Sequence, residues 1–169
     1  MAISLTTSRL LLRPIEAADF PAVSRLWTDP EVRRYLGGPV AEAEVRARER
    51  GCVAAPGAFS VVRSADAVVV GMVVVAPDAW EGRAEVSYQL LPEHGGRGYA
   101  REAVAAAAEW ARTEVASAAV GLVAVTQEAN RPSRRLLEAL GATLAERFVK
   151  WGEPQLLYVF GPGRPPAAR

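Results

Sequence analysis

Short apolar blocks and periodic stripes divide the chain into a sequence of predicted elements. SRLLLRP (8–14) is an apolar run closed by Pro14, which predicts a strand. Asp19 is a candidate cap for a helix from about Phe20 to Trp27, with Val23, Leu26 and Trp27 on one face. Asp29-Pro30 opens a short turn or helix to about Leu36, which Gly37-Gly38-Pro39 breaks. Residues 41–54 alternate charge and alanine with helical spacing, up to Pro56-Gly57. Three strand-like runs follow, Ala58–Arg63, Ala67–Ala76 and Arg83–Leu91, and Gly71 interrupts the second. Loops at Ser64-Ala65-Asp66 and Pro77-Asp78 separate them, so they predict an antiparallel meander. A helix is expected from about Gly98 to Val115, a buried strand over Val120–Thr126, and an amphipathic helix over Asn130–Leu140 stopped by Gly141. Two last strands, about Thr143–Trp151 and Gln155–Phe160, meet at a turn Gly152-Glu153-Pro154. The order β, α, α, β, β, β, α, β, α, β, β predicts a mixed α/β domain around one sheet. Strand, helix, strand across 83–126 is a crossover, so those two strands should be parallel neighbours.

The bulk properties narrow the picture. The 169 residues fit one domain over 1–161, followed by a Pro/Gly-rich tail, 162–169, that lacks periodicity and is expected to be flexible. Half the residues are hydrophobic and 23% are charged, as in ordinary globular proteins. A formal net charge of +1 provides no electrostatic case for nucleic acid or an anionic membrane. One cysteine, Cys52, and one histidine, His94, imply no disulfide framework and no metal site. MAISLTTSRLLLRP does not read as a signal peptide, and the most apolar run, Val68 to Ala76, is too short to cross a bilayer as a helix. These features point to a cytoplasmic protein.

The chemistry concentrates in VSYQLLPEHGGRGYAREAVAAAA (86–108), which reads as strand, proline turn, glycine loop and helix start. Small residues let a ligand approach the backbone closely. The free N–H groups of a first helical turn, backed by the helix dipole, then make an anion site for a phosphate or pyrophosphate. A Walker A loop needs a Gly-Lys-Ser/Thr ending, which is missing. A dinucleotide fingerprint needs an acid at the end of the next strand, and VGLVAVT offers none before Glu128.

Five blocks together raise the specificity: TSRLLLRPIEAADF, DPEVRRYLGG, AEVSYQLLPEHGGRGYAREA, the helical EWA, and NRPSRRLLEALGA. In that order they resemble the GNAT superfamily of acetyl-CoA-dependent N-acetyltransferases, nearest its Rim-type branch of ribosomal-protein N-terminal acetyltransferases. The resemblance covers nearly the whole chain. It implies a single-domain GNAT fold: a mixed, mostly antiparallel sheet with a splayed parallel strand pair and flanking helices. In the family signature Gln/Arg-x-x-Gly-x-Gly/Ala, Gly98 and Ala100 fill the last two positions, while the first is Gly95 here. The resemblance implies that Gly96, Arg97, Gly98, Tyr99, Ala100 and Arg101 wrap the CoA pyrophosphate. It implies that the backbone at Gln89, Leu90 and Leu91 pairs with the pantetheine arm like an added strand, and that an amide there stabilises the oxyanion of the tetrahedral intermediate.

The same likeness makes Glu85 the candidate base, since acetylation needs a neutral amine and amine pKa values lie near ~7.7–8.0 (N-terminal) or ~10.4 (lysine). Alternation places Glu85 on one face with Ser87 and Gln89. A solvated or hydrogen-bonded strand carboxylate is the alternative. Asn130 is a sound helix cap and, by resemblance, a contact to the cofactor arm. Ser133 matches an Asn-x-x-Ser position whose hydroxyl protonates the departing thiolate in some members, so the resemblance makes it the candidate acid; a plain first-turn serine is the alternative. The tyrosine that other members place seven residues after the Asn is Leu137 here, and the family Gly-Phe is Gly141-Ala142. Trp27, Tyr35, Trp80 and Trp151 fall on segments that line the acceptor cleft in relatives, or in the core. The expected partners are acetyl-CoA and an amine, either a protein N-terminus or a small molecule. A homodimer stays open, as do two competing functions, a CoA-binding module without transfer and a nucleotide-binding reductase.

Overall fold

The computed structural model describes residues 3–161, so the tail assigned to 162–169 lies outside the described residues. One sheet of eight strands runs in the order β1-β2-β3-β4-β5-β6-β8-β7. The strands are β1 (Leu5–Thr6), β2 (Leu10–Pro14), β3 (Ala58–Arg63), β4 (Val68–Trp80), β5 (Arg83–Leu90), β6 (Leu122–Gln127), β7 (Ala142–Lys150) and β8 (Glu153–Phe160). Every pairing is antiparallel except β5 with β6, the crossover pair. The helices are α1 (Phe20–Thr28), α2 (Glu42–Cys52), α3 (Tyr99–Glu114), α4 (Ala116–Val120) and α5 (Arg131–Ala139).

Helices cover both faces of the sheet. Against one face α3 presents Ala103, Ala107, Ala108 and Ala111, all buried, so the helix axis can lie close to the strands. Val73, Val86, Leu122, Leu156 and Tyr158 join them in the larger core. On the other face Val23, Leu26 and Trp27 of α1 and Val45 of α2 pack on Ala58 and Met72. Gly71 lies where β4 and β5 approach most closely. A Cβ there would stand 2.4 Å from the Gln89 carbonyl oxygen, which explains the glycine in an otherwise valine-rich strand.

Several expectations change. Asp19 does not cap α1 with its side chain. It is buried and accepts a bidentate pair from Arg13 at 2.7 and 2.8 Å, plus the Ser60 hydroxyl at 2.7 Å and the Glu16 amide at 3.0 Å. Burial opposes its charge, but these donors hold the carboxyl below its ordinary range and tie β2, α1 and β3 together. Pro77-Asp78 is not a loop. β4 continues through it as an irregular extension to Trp80, and the turn falls at Glu81-Gly82. The last hairpin likewise turns at Trp151-Gly152, with Glu153 and Pro154 already in β8. Both hairpins need two successive residues at positive φ, the geometry that suits strand twist. β1 and α4 are too short for periodicity to reveal.

Candidate active site

The glycine loop follows a single 3-10 turn, Pro92–His94, whose end is sealed by the Gly95 amide donating to the Pro92 carbonyl at 3.0 Å. Gly96 (φ 72°) and Gly98 (φ 78°) then take the left-handed conformation that lets the chain enter α3. Among the described residues, no backbone carbonyl outside the helix accepts from the amides of Gly96 to Ala100. They are the free donors an anion site requires.

Arg9, at the start of β2, braces this loop. Its Nη1 donates to the Arg97 carbonyl at 2.9 Å, its Nε to Glu102 Oε2 at 2.7 Å, and its guanidinium lies 4.8 Å from the centre of the Tyr99 ring. Glu102, in the first turn of α3, also accepts from Thr7 Oγ1 (2.6 Å), Ser8 Oγ (3.1 Å) and the Arg9 amide (2.9 Å). Burial opposes the Glu102 charge, yet these donors keep its carboxyl below the usual range. Across a trans peptide the carbonyl and the following N–H point in opposite directions. Fixing the Arg97 carbonyl on Arg9 therefore turns the Gly98 amide outward. A Cβ at Gly98 would come 3.3 Å from Arg9 Nη2, a tight contact that a small shift of the guanidinium relieves, so the left-handed φ of 78° is what favours glycine here.

The loop stands at the mouth of a gap. β5 and β6 pair only through Ala84–Leu122 and Glu85–Val123, although both strands run on. Backbone groups point alternately to either side of a strand. The Ala84 amide donates to Gly121 on the β6 side and the Leu91 amide to Val70 of β4, which sets the parity. The Val86 amide closes the last rung on Val123 of β6, so the amides facing the open gap are those of Tyr88 and Leu90. This corrects two of the expected contacts. Leu91 has spent its amide on β4 and buries its side chain, and the Gln89 backbone faces Met72 of β4. Gln89 keeps a buried side-chain Oε1 without a partner.

Glu85, Ser87 and Gln89 lie on the α1/α2 face of β5, and Ala84, Val86, Tyr88 and Leu90 on the α3 face. Burial pushes the Glu85 carboxyl above its ordinary range, Lys150 on β7 partly opposes this, and no hydrogen bond contributes. Trp80 stacks on Phe148 with ring centres 5.0 Å apart, joining β4 to β7. Trp27 is core, whereas Trp151 is 66% exposed at its hairpin tip.

Asn130 caps α5, its Oδ1 accepting from the Ser133 amide at 3.2 Å. The Ser133 hydroxyl lies 2.7 Å from the phenol of Tyr88, a bond that reaches from β5 to α5. Leu137 is wholly buried. Arg101 leans away from the loop, donating to the Ala139 carbonyl at 3.4 Å, and Tyr99 is buried, so Tyr99 offers the loop only its backbone. Burial raises the Cys52 thiol, and its Sγ donates to the Glu49 carbonyl, which leaves it a poor nucleophile. Glu128 pairs with Arg147, away from any ribose-binding role at a strand end.

A sheet parted between parallel strands, with a braced helix start at its mouth, defines a single α/β domain with an anion-binding loop beside an open strand edge. The sequence profile described as Acetyltransferase (GNAT) domain matches residues 9–143. The chain belongs to the GNAT acetyltransferase family and is an acetyltransferase. It is 30% identical over 145 residues to the uncharacterized N-acetyltransferase p20 of Bacillus licheniformis, covering 81% of this chain and 80% of that one. A GNAT-family acetyltransferase of Bacillus anthracis superposes with TM-score 0.81 at 24% identity, over 94% of this chain and 98% of its own. The ribosomal-protein-S5-alanine acetyltransferase of Vibrio fischeri shares the fold more distantly, with TM-score 0.70 at 17% identity over 93% and 95%.

Proposed function

We propose that the chain binds acetyl-CoA and a primary amine together and passes the acetyl group directly between them. The observation that carries this is the gap between β5 and β6, opening beside uncapped amides at Gly96 to Ala100. The residues present fit the coenzyme: free N–H donors and Arg97 for the diphosphate, and the Val86 carbonyl with the gap-side backbone of Tyr88 and Leu90 for the pantetheine amides. Asn130 stands at the other wall, and the orphaned Gln89 Oε1 is a further acceptor.

The amine approaches on the α1/α2 face, where Glu85 takes its proton. Its nitrogen attacks the thioester carbonyl carbon, a gap-side amide of β5 holds the oxyanion, and the C–S bond then breaks. Ser133, on the opposite side of the strand, donates to the leaving sulfur. No acyl-enzyme forms in this reading, because among the described residues no activated nucleophile faces the gap. The Rim-type likeness favours a protein N-terminus or a small amine as acceptor, and a monomer or homodimer in the cytoplasm serves equally.

Incubation with acetyl-CoA and an amine panel, read by mass spectrometry, tests the reading. Acetylated product should form, and Glu85→Gln should lower turnover by about 10²–10⁴-fold while calorimetric CoA affinity holds. The second reading, a CoA-binding module, draws on buried Leu137 in place of a tyrosine. It predicts CoA binding with no product from any amine. Tighter stabilisation by NAD than by CoA in a thermal-shift comparison would overturn both.

A further inference from the structure

We infer that Tyr88 is a positioning residue for the leaving-group side of the reaction, fixing the Ser133 hydroxyl so that its proton points at the CoA sulfur. The inference rests on the acetyl-CoA reading above. Tyr88 stands on β5 three residues beyond the last β5–β6 pair, where the strands have parted. Its ring crosses from β5 to the first turn of α5, and both of its hydrogen-bond partners belong to Ser133. These are the side-chain Oγ at 2.7 Å and, at a marginal 3.5 Å, the carbonyl oxygen. Ser133 itself is held by its amide on Asn130.

Proton accounting then sets the direction of the bond. A hydroxyl has one hydrogen to donate. A half-buried phenol whose hydroxyl faces protein keeps its hydrogen and is best served by a protein acceptor, and desolvation pushes the Tyr88 phenol up to about 12. The near acceptor is Ser133 Oγ. With Tyr88 donating, the single Ser133 hydrogen is released to turn elsewhere, and the open side is the gap. The pair cannot act by giving a proton away. A thiol near ~8.5 is far too weak a base to deprotonate such a phenol, still less an aliphatic hydroxyl. The pair instead stabilises the thiolate by hydrogen bonding while the C–S bond breaks, and the thiolate collects its proton afterwards from solvent. Phenol and serine together stand in here for the tyrosine displaced by Leu137: Ser133 of α5 is the donor, and Tyr88 of β5 orients it.

The test needs no acceptor amine. Free CoA is bound to the protein, and alkylation of its thiol by iodoacetamide is followed by mass across pH, which separates it from any reaction at Cys52. Bound CoA should titrate below free CoA in the wild type. Tyr88→Phe and Ser133→Ala should each raise the apparent pKa by about one pH unit, a tenfold loss of thiolate at fixed pH. The double variant should go no further than Ser133→Ala, because Tyr88 acts through Ser133. Tyr88→Phe keeps the ring, and its thermal melting, and its affinity for CoA below the thiol titration, should match wild type. With the amine found above, its kcat should fall about tenfold at unchanged KM for acetyl-CoA. A thiol titration in Tyr88→Phe that overlays wild type, or additive shifts in the double variant, overturns the assignment of Tyr88 alone. Failure of the wild type to bind CoA overturns the acetyl-CoA reading and this inference with it.

Discussion

At the scale of residues, Glu85 and Tyr88 share one strand and face opposite ways, which in the proposed mechanism separates the proton-accepting side from the sulfur side. The pH behaviour follows from Glu85. Burial raises its carboxyl and Lys150 holds it partly down. The ionised form is the base, so turnover should rise with pH through that elevated value. Lys150→Met removes the opposing charge and should move the acidic limb to higher pH, by up to about one pH unit. A pH profile of kcat/KM that stays in place would show that another group carries the limb. The face that Glu85 shares with Ser87 and Gln89 was legible in the sequence because a strand has a period of two, whereas its candidacy as base came from the family resemblance. Tyr88 was not, because its partner lies 45 positions away and nothing local marks the contact. The expected backbone contacts at Gln89 and Leu91 fell to the same limit, since parity depends on hydrogen bonds that only the folded pairing defines.

At the scale of elements, the glycine loop is positioned by β2 through one arginine. The loop and helix start were legible from GGRGYA and the alanines behind it. The brace was not, because Arg9 and Glu102 are 93 positions apart. Arg9→Ala should free the Arg97 carbonyl and let the loop amides wander, weakening acetyl-CoA binding about tenfold, or ~1.4 kcal/mol. Turnover at saturating coenzyme should stay near wild type. Calorimetry showing unchanged affinity would reduce the brace to a surface ion pair. The Asp19 correction belongs here too. A carboxylate before an apolar stripe reads as a cap, and only tertiary contact shows it drawn inward to Arg13 and Ser60. The hairpins were shifted for a related reason. Proline marked turns in the sequence, but the irregular reach of β4 and the start of β8 accommodate Pro77 and Pro154.

At the scale of the whole molecule, the crossover over 83–126 anticipated the parallel pair, and the five sequence blocks anticipated the family. The antiparallel neighbours β6 and β8, and β7 at the rim, could not be read in advance because they depend on which long-range pairs win. The consequence of that layout lies in the two residue pairs joining β5 to β6. They are the only rungs between a five-strand panel and a three-strand panel, so the empty enzyme should breathe along this line. An arm of amides laid between the panels supplies the absent rungs and fastens them like a zip. Deuterium uptake at Tyr88 and Leu90 should slow when CoA is added, while β3 and β4 exchange as before. Uniform slowing everywhere, or none, would mean the two panels already move as one slab without their guest.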